Sequence, residues 1–226
     1  MREHFFETGY LKNPFSSVLS VAGRTKVITS LTIDYRVPSH VKDGCGWLTA
    51  EYSLMPGSTT SRVPRERSHI SGRTAEIQRL IGRSLRMAVD LSGMPGISML
   101  LDCDVLEADG GTRTCSVNGG MVSIAIACRK LHETGVLQKN PLKRWVGAIS
   151  GGIIDGKIVV DLDYELDSKA QADFNFVFCE NGNIIELQGT AEKEPVDDEK
   201  FLELLEKSRE NVLKLIEKMK SSAGYK

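Results

Sequence analysis

Two dipeptides constrain this chain's fold more than any other feature. Asp155-Gly156 and Asn181-Gly182 each stand between runs of apolar and β-branched residues. Such pairs accept the positive φ angles of a tight hairpin turn. They predict strands over 145–154 and 157–163, then over 173–180 and 183–189, each pair antiparallel. An all-helical chain is excluded.

Upstream, residues 17–22 and 26–33 read as strands about the turn Gly23-Arg24-Thr25, and 47–54 and 97–106 as two more. The spacing of Ile77, Leu80, Ile81, Leu85, Ala88 and Val89 predicts an amphipathic helix over 73–91. Asp109-Gly110-Gly111 turns the chain into a second helix running to about Thr134, small and apolar enough to be buried. Residues 197–220 form a third, with acidic residues at its start and lysines at its end. No repeat, low-complexity tract or linker interrupts the pattern. The expected fold is α+β, with helices packed on mixed sheets in a single domain over 1–226.

Charge decides where a partner could bind. The 29 Lys and Arg nearly cancel the 30 Asp and Glu, so a nucleic-acid surface must come from local clustering. The five cysteines contain no C-x-x-C pair, and the four histidines are scattered. That argues against a disulfide framework or a zinc site. The opening residues carry no apolar signal core, and no run approaches the length of a membrane span. A cytoplasmic protein with no membrane partner is expected.

Three constellations could carry chemistry. The first is a loop with Arg62, Arg65 and Arg67 that leads into Gly72-Arg73-Thr74 at a helix start. Guanidinium forks and unpaired helix amides both suit phosphate, although on spacing alone a solvated basic loop, with Arg73 paired to a nearby acid, is the favoured reading. The second is Asp109-Gly110-Gly111-Thr112-Arg113-Thr114, where paired glycines permit close backbone approach and two hydroxyls flank an arginine. It is neither G-x-x-x-x-G-K nor G-x-G-x-x-G, and a plain tight turn is the competing reading. The third is acidic: Asp161, Asp163, Glu165 and Asp167 would share one face of an extended chain, with Asp173 following. Carboxylates beside an anion site are the hard ligands of a metal-assisted phosphoryl transfer. An ordinary strand edge is the alternative, and a structural role is favoured for Asp102 and Asp104.

At these residues the sequence resembles the ribonuclease PH family, relatives of polynucleotide phosphorylase and the exosome ring subunits. The matching stretches run from Gly46 to Tyr52, Gly72 to Ile81, Leu101 to Thr114 and Ile185 to Glu192, in family order. The similarity covers nearly the whole chain from Ser17 onward. It implies a β-α-β fold like domain 2 of ribosomal protein S5, and a homohexameric ring built as a trimer of dimers. It implies phosphorolytic 3′→5′ exoribonuclease (tRNA nucleotidyltransferase) activity, chiefly on tRNA precursors, with ribosomal RNA also open. Inorganic phosphate would be the co-substrate and Mg²⁺ or Mn²⁺ the metal. Carried over by position, Arg73 contacts the phosphate, and Gly111, Thr112, Arg113 and Thr114 complete its cradle. Asp167 and Asp173 bind the metal and handle a proton, while Arg62 and Arg65, with Arg67 beside them, engage RNA.

The chain departs from the family pattern in three places. It begins about ten residues late, Gly57 stands where an arginine is usual, and Ser71 replaces the first glycine of a shortened Gly-Gly-Arg-Thr loop. Two rival readings follow: a catalytically inactive RNA-binding subunit of an exosome-like ring, and a small-molecule kinase, which would need a nucleotide loop that the sequence lacks.

Overall fold

In the computed structural model, which describes residues 1–225, nine strands form two sheets around a central helix. The first sheet holds β1 (His4–Thr8), β2 (Ser16–Ala22), β3 (Thr25–Asp34), β4 (Trp47–Leu54) and β5 (Ser98–Glu107), in the order β1-β2-β3-β5-β4. Its pairs are antiparallel except β4 with β5. That parallel pair needs a crossover, and α1 (Gly72–Arg86) provides it. The second sheet is fully antiparallel, in the order β7-β6-β8-β9: β6 (Val146–Ile154), β7 (Lys157–Val160), β8 (Ala172–Cys179) and β9 (Ile184–Ala191).

Between the sheets lies α2 (Thr112–Glu133), packed on β2 and β3 from one side and on β6 from the other. A helix covered on both sides must be apolar nearly all round, and its run from Thr114 to Ala125 is buried without a break. The third long helix, α4 (Asp198–Ser222), packs across β6, β7 and β8. Its apolar stripe of Leu204, Leu205, Val212, Leu215, Ile216 and Met219 is buried. One buried cluster contains side chains from Phe6 in β1 to Ala223 after α4. No helix among the described residues is long and apolar enough to cross a membrane.

The expected elements are present, with local corrections. Asp155 and Gly156 both take positive φ, as a two-residue hairpin requires. The Asn181-Gly182 turn is looser: Gly182 alone is left-handed, and the register slips between Val177 and Phe178. Asn181 Oδ1 accepts from the Asn183 amide at 3.1 Å, which ties the longer loop together. Helix α1 stops at Arg86 rather than 91, because the Ala88 carbonyl accepts from the Lys143 amide and Val89 bridges to Leu142. Strand β7 ends at Val160 rather than 163, since Asp161 adopts φ +69°.

The extended acidic run is overturned. Residues 164–169 form a short helix, α3 (Tyr164–Lys169), capped by Asp163, whose side chain accepts from the Leu166 amide. Strand β1 was not foreseen.

Candidate active site

The turn ahead of α2 has the conformation that its glycines permit. Gly110 and Gly111 both lie in the left-handed region, with φ of +74° and +63°, which costs glycine nothing. Gly111 is the N-cap and makes no side-chain cap. The first helix amides, those of Thr112, Arg113 and Thr114, have no carbonyl one turn earlier to bond and form a local positive end. Thr114 Oγ1 donates back to the Gly111 carbonyl at 2.9 Å.

Four other elements close on this turn. From β4, the buried Tyr52 hydroxyl meets Thr112 Oγ1 at 2.8 Å. From β9, Gln188 Oε1 accepts from the Arg113 guanidinium at 2.9 Å. From α1, Glu76 Oε1 lies 3.4 Å from that guanidinium and accepts from Gln188 Nε2 at 2.7 Å. The Arg113 fork is therefore aimed by a carboxylate and an amide. The fourth element is α3: a Cβ at Gly110 would stand 2.5 Å from the Asp163 carbonyl carbon and 2.7 Å from the Tyr164 nitrogen. The missing side chain lets the start of the acidic helix lie directly on the phosphate-type turn.

Electrostatics show which charges share this space. Burial, then the negative charge of Asp173, raises the Asp167 carboxyl above its ordinary value, while Arg113 and Arg73 pull it down. Burial raises the Tyr52 phenol, against the Thr112 hydrogen bond and again the charges of Arg73 and Arg113. Both arginines thus act on the same two groups. Asp173 sits opposite Thr190 in the β8–β9 ladder and Gln188 two residues along, so all three share the face that looks at Arg113.

The charges of Arg73 and Arg113 thus reach Asp167 and Tyr52, that of Asp173 reaches Asp167, and Thr112 is bonded to Tyr52. The structure does not bring in the loop arginines: Arg62, Arg65 and Arg67 lie on an exposed segment. Arg65 faces Asp104 on the outer side of the first sheet and opposes the rise of that carboxyl caused mainly by burial. Among the described residues, no three His, Cys, Asp or Glu side chains cluster as a metal cage. Mg²⁺ retains waters and binds through one or two carboxylates. Two carboxylates whose mutual repulsion a cation would relieve, Asp167 and Asp173, fit such an ion.

The sequence reading gave no role to Tyr52, Glu76 or Gln188. For Tyr52 a signal existed: Leu48, Ala50 and Tyr52 share one strand face, and a hydroxyl ending an apolar row asks for a partner. Glu76 and Gln188 carried no such signal, because they meet only in the folded chain.

The architecture is a two-sheet α+β fold in which the charges of Arg73, Arg113 and Asp173 all act on Asp167. The chain belongs to the 3′ exoribonuclease family, whose first-domain model matches residues 1–130 and whose second-domain model matches residues 145–211. The likeness thus begins ahead of Ser17. In particular, the chain is 47% identical over 219 residues to Ribonuclease PH of Syntrophomonas wolfei, covering 96% of this chain and 92% of that one. The fold also matches a solved structure described as the Archaeoglobus fulgidus exosome with RNA bound to the active site (TM-score 0.82, 20% identity, covering 96% of this chain and 88% of that one). The crystal structure of rice (Oryza sativa) Rrp46 is similar as well (TM-score 0.80, 15% identity, covering 99% and 95%).

Proposed function

We propose that this chain is a phosphorolytic 3′→5′ exoribonuclease whose phosphate seat lies between Arg73 and the Gly111-Thr112-Arg113-Thr114 turn. An oxygen of the seated phosphate attacks the last phosphodiester of an RNA. The bond to the penultimate 3′ oxygen breaks, that oxygen gains a proton, and a nucleoside diphosphate leaves. Attacking and attacked groups are both anions, so neutralisation and alignment are the main tasks. Arg73 and Arg113 meet the first anion, and the Thr112 and Thr114 hydroxyls add donors. Asp167 and Asp173 would hold Mg²⁺ (or Mn²⁺), which supplies positive charge at the reacting phosphoryl and the leaving oxygen. The Asp167–Asp173 pair would also handle the proton that the leaving oxygen gains.

The observation that carries this reading is the 3′ exoribonuclease family match over residues 1–130 and 145–211, with the Arg113 fork aimed by Glu76 and Gln188 beside it. One bond is exchanged for another of similar energy, so excess diphosphate should drive 3′ nucleotide addition. Arg113→Ala should lower phosphorolysis on the order of 10²-fold, by analogy with the loss of one donor to a transition-state oxyanion. Release of nucleoside monophosphate by water, independent of phosphate, would overturn the mechanism.

The proposal extends to precursor tRNA as the chief substrate, with the loop arginines Arg62, Arg65 and Arg67 holding the RNA, and to a cytoplasmic homohexamer. It also treats residues 1–226 as one folding unit, in keeping with the continuous core. An inactive ring subunit is the weaker reading, since the chain keeps the arginines, hydroxyls and acidic pair that the activity would use.

A further inference from the structure

Against the turn lies a buried charge that the mechanism does not use. The Asp161 side chain is 1% exposed and its backbone is left-handed. Its Oδ2 accepts from the Arg2 amide at 2.7 Å and lies 3.0 Å from His4 Nε2. Its Oδ1 accepts from Arg2 Nε and Nη2 at 3.1 and 2.7 Å. The remaining guanidinium nitrogen, Arg2 Nη1, donates to the carbonyls of Asp109 and Gly110 at 2.9 and 3.4 Å. Thr25 completes the clamp: its hydroxyl donates to the Gly110 carbonyl at 2.7 Å and accepts from the Asp109 amide at 2.9 Å. A Cβ at Gly111 would stand 2.8 Å from Arg2 Nη2, so the guanidinium lies directly against the turn.

We infer that Arg2, oriented by Asp161, is a positioning residue for the phosphate seat, which rests on the function proposed above. A peptide turn has two edges. With the Asp109 and Gly110 carbonyls fastened toward Arg2 and Thr25, the amides of Thr112, Arg113 and Thr114 are held toward the opposite edge, where the anion sits. Without the clamp a left-handed Gly-Gly pair has many conformations of similar energy, and the seat must be ordered each time phosphate binds. Arg2 touches neither phosphate nor RNA. Its work is to fix where the donors point, an alignment for which small displacements are costly.

The test uses the full chain with a 3′-extended RNA and inorganic phosphate. Arg2→Ala should raise the KM for phosphate by roughly tenfold or more while the KM for RNA changes less than about twofold. Arg2→Lys, which keeps the charge on a single donor nitrogen without the planar fork, should recover part of that loss. Thr25→Val, near-isosteric and at the other side of the turn, should give the same selective rise, and it covers the case in which the arginine variant folds poorly. The phosphate-induced increase in Tm, read without turnover, should shrink in step. If both Arg2→Ala and Thr25→Val lose thermal stability but keep the wild-type KM for phosphate, the role is merely structural and the inference fails. If the wild type itself shows no phosphate-dependent release, the proposed function fails first, while a wild-type phosphate shift in Tm lost in both variants would still support the clamp.

Discussion

The two arginine-bearing segments ahead of helices make an instructive contrast. The turn at 109–114 is tied down on every side, by Arg2 and Thr25 beneath, Tyr52 and Gln188 above, and the start of α3 across Gly110. The loop at 56–71 has few restraints. Its arginines are exposed, and it is joined to α1 through Glu66, which accepts from the Ser71 amide and the Thr74 hydroxyl. Both segments carry arginine, yet they suit different partners. A small anion of fixed shape rewards donors that do not move, whereas a long polyanion can be gathered by side chains that reorient.

The sharpest way to break this contrast is to add one methyl group to each segment. Gly110→Ala combines a positive φ with a clash against the Asp163 carbonyl, and should destabilise the fold by about 1–3 kcal/mol while disabling catalysis. Gly57→Ala, at a position with no neighbouring atom within 4 Å, should stay within about 0.5 kcal/mol. Thermal melts of the two variants side by side decide it, and equal losses would mean that the loop is as constrained as the turn.

A smaller effect separates the ligands. Replacing Arg62, Arg65 and Arg67 with Ala should weaken RNA binding and reduce the salt dependence of RNA affinity. The log–log slope should fall by about two, at roughly 0.7 for each phosphate that an arginine neutralises on a single strand. The KM for phosphate should not move. A rise in that constant instead would place the loop in the phosphate seat.

The smallest effect concerns Asp167. Its folded carboxyl is raised above the ordinary value of 3.8, so the folded state holds the proton more tightly than the unfolded chain. Stability from this group is therefore present below pH 3.8 and is lost as pH rises through the higher folded value. Asp167→Asn should thus melt higher at pH 7, by only about 1–2 °C because the side chain is solvent-accessible. The gain should fade near pH 4, and activity should be lost. A lower melting temperature at pH 7 would show that Asp167 stabilises the fold in its charged form.

Much of the fold could be read from local chemistry. The hairpins follow from their turn residues, and the long helices from apolar spacing and breakers. The positions of Arg73 and Arg113 in the first turns of helices were legible from the glycines before them and the apolar spacing after them. The short acidic helix was not. Six residues give periodicity little to work on, and alternating acids mimic an extended chain. What decides the matter is the Asp163 cap and the left-handed Asp161, which ends β7. Strand β1 is five residues long with only His4 and Phe6 buried, too brief a pattern to stand out. The Arg2–Asp161 clamp spans 159 positions and exists only once the sheets have closed around α2.

The close approach at Gly110 fixes the spacing between the turn and α3. Because main chain meets main chain there, the gap is set by the van der Waals radii of backbone atoms instead of by the size of any side chain. Neighbouring residues can drift in identity without altering that spacing.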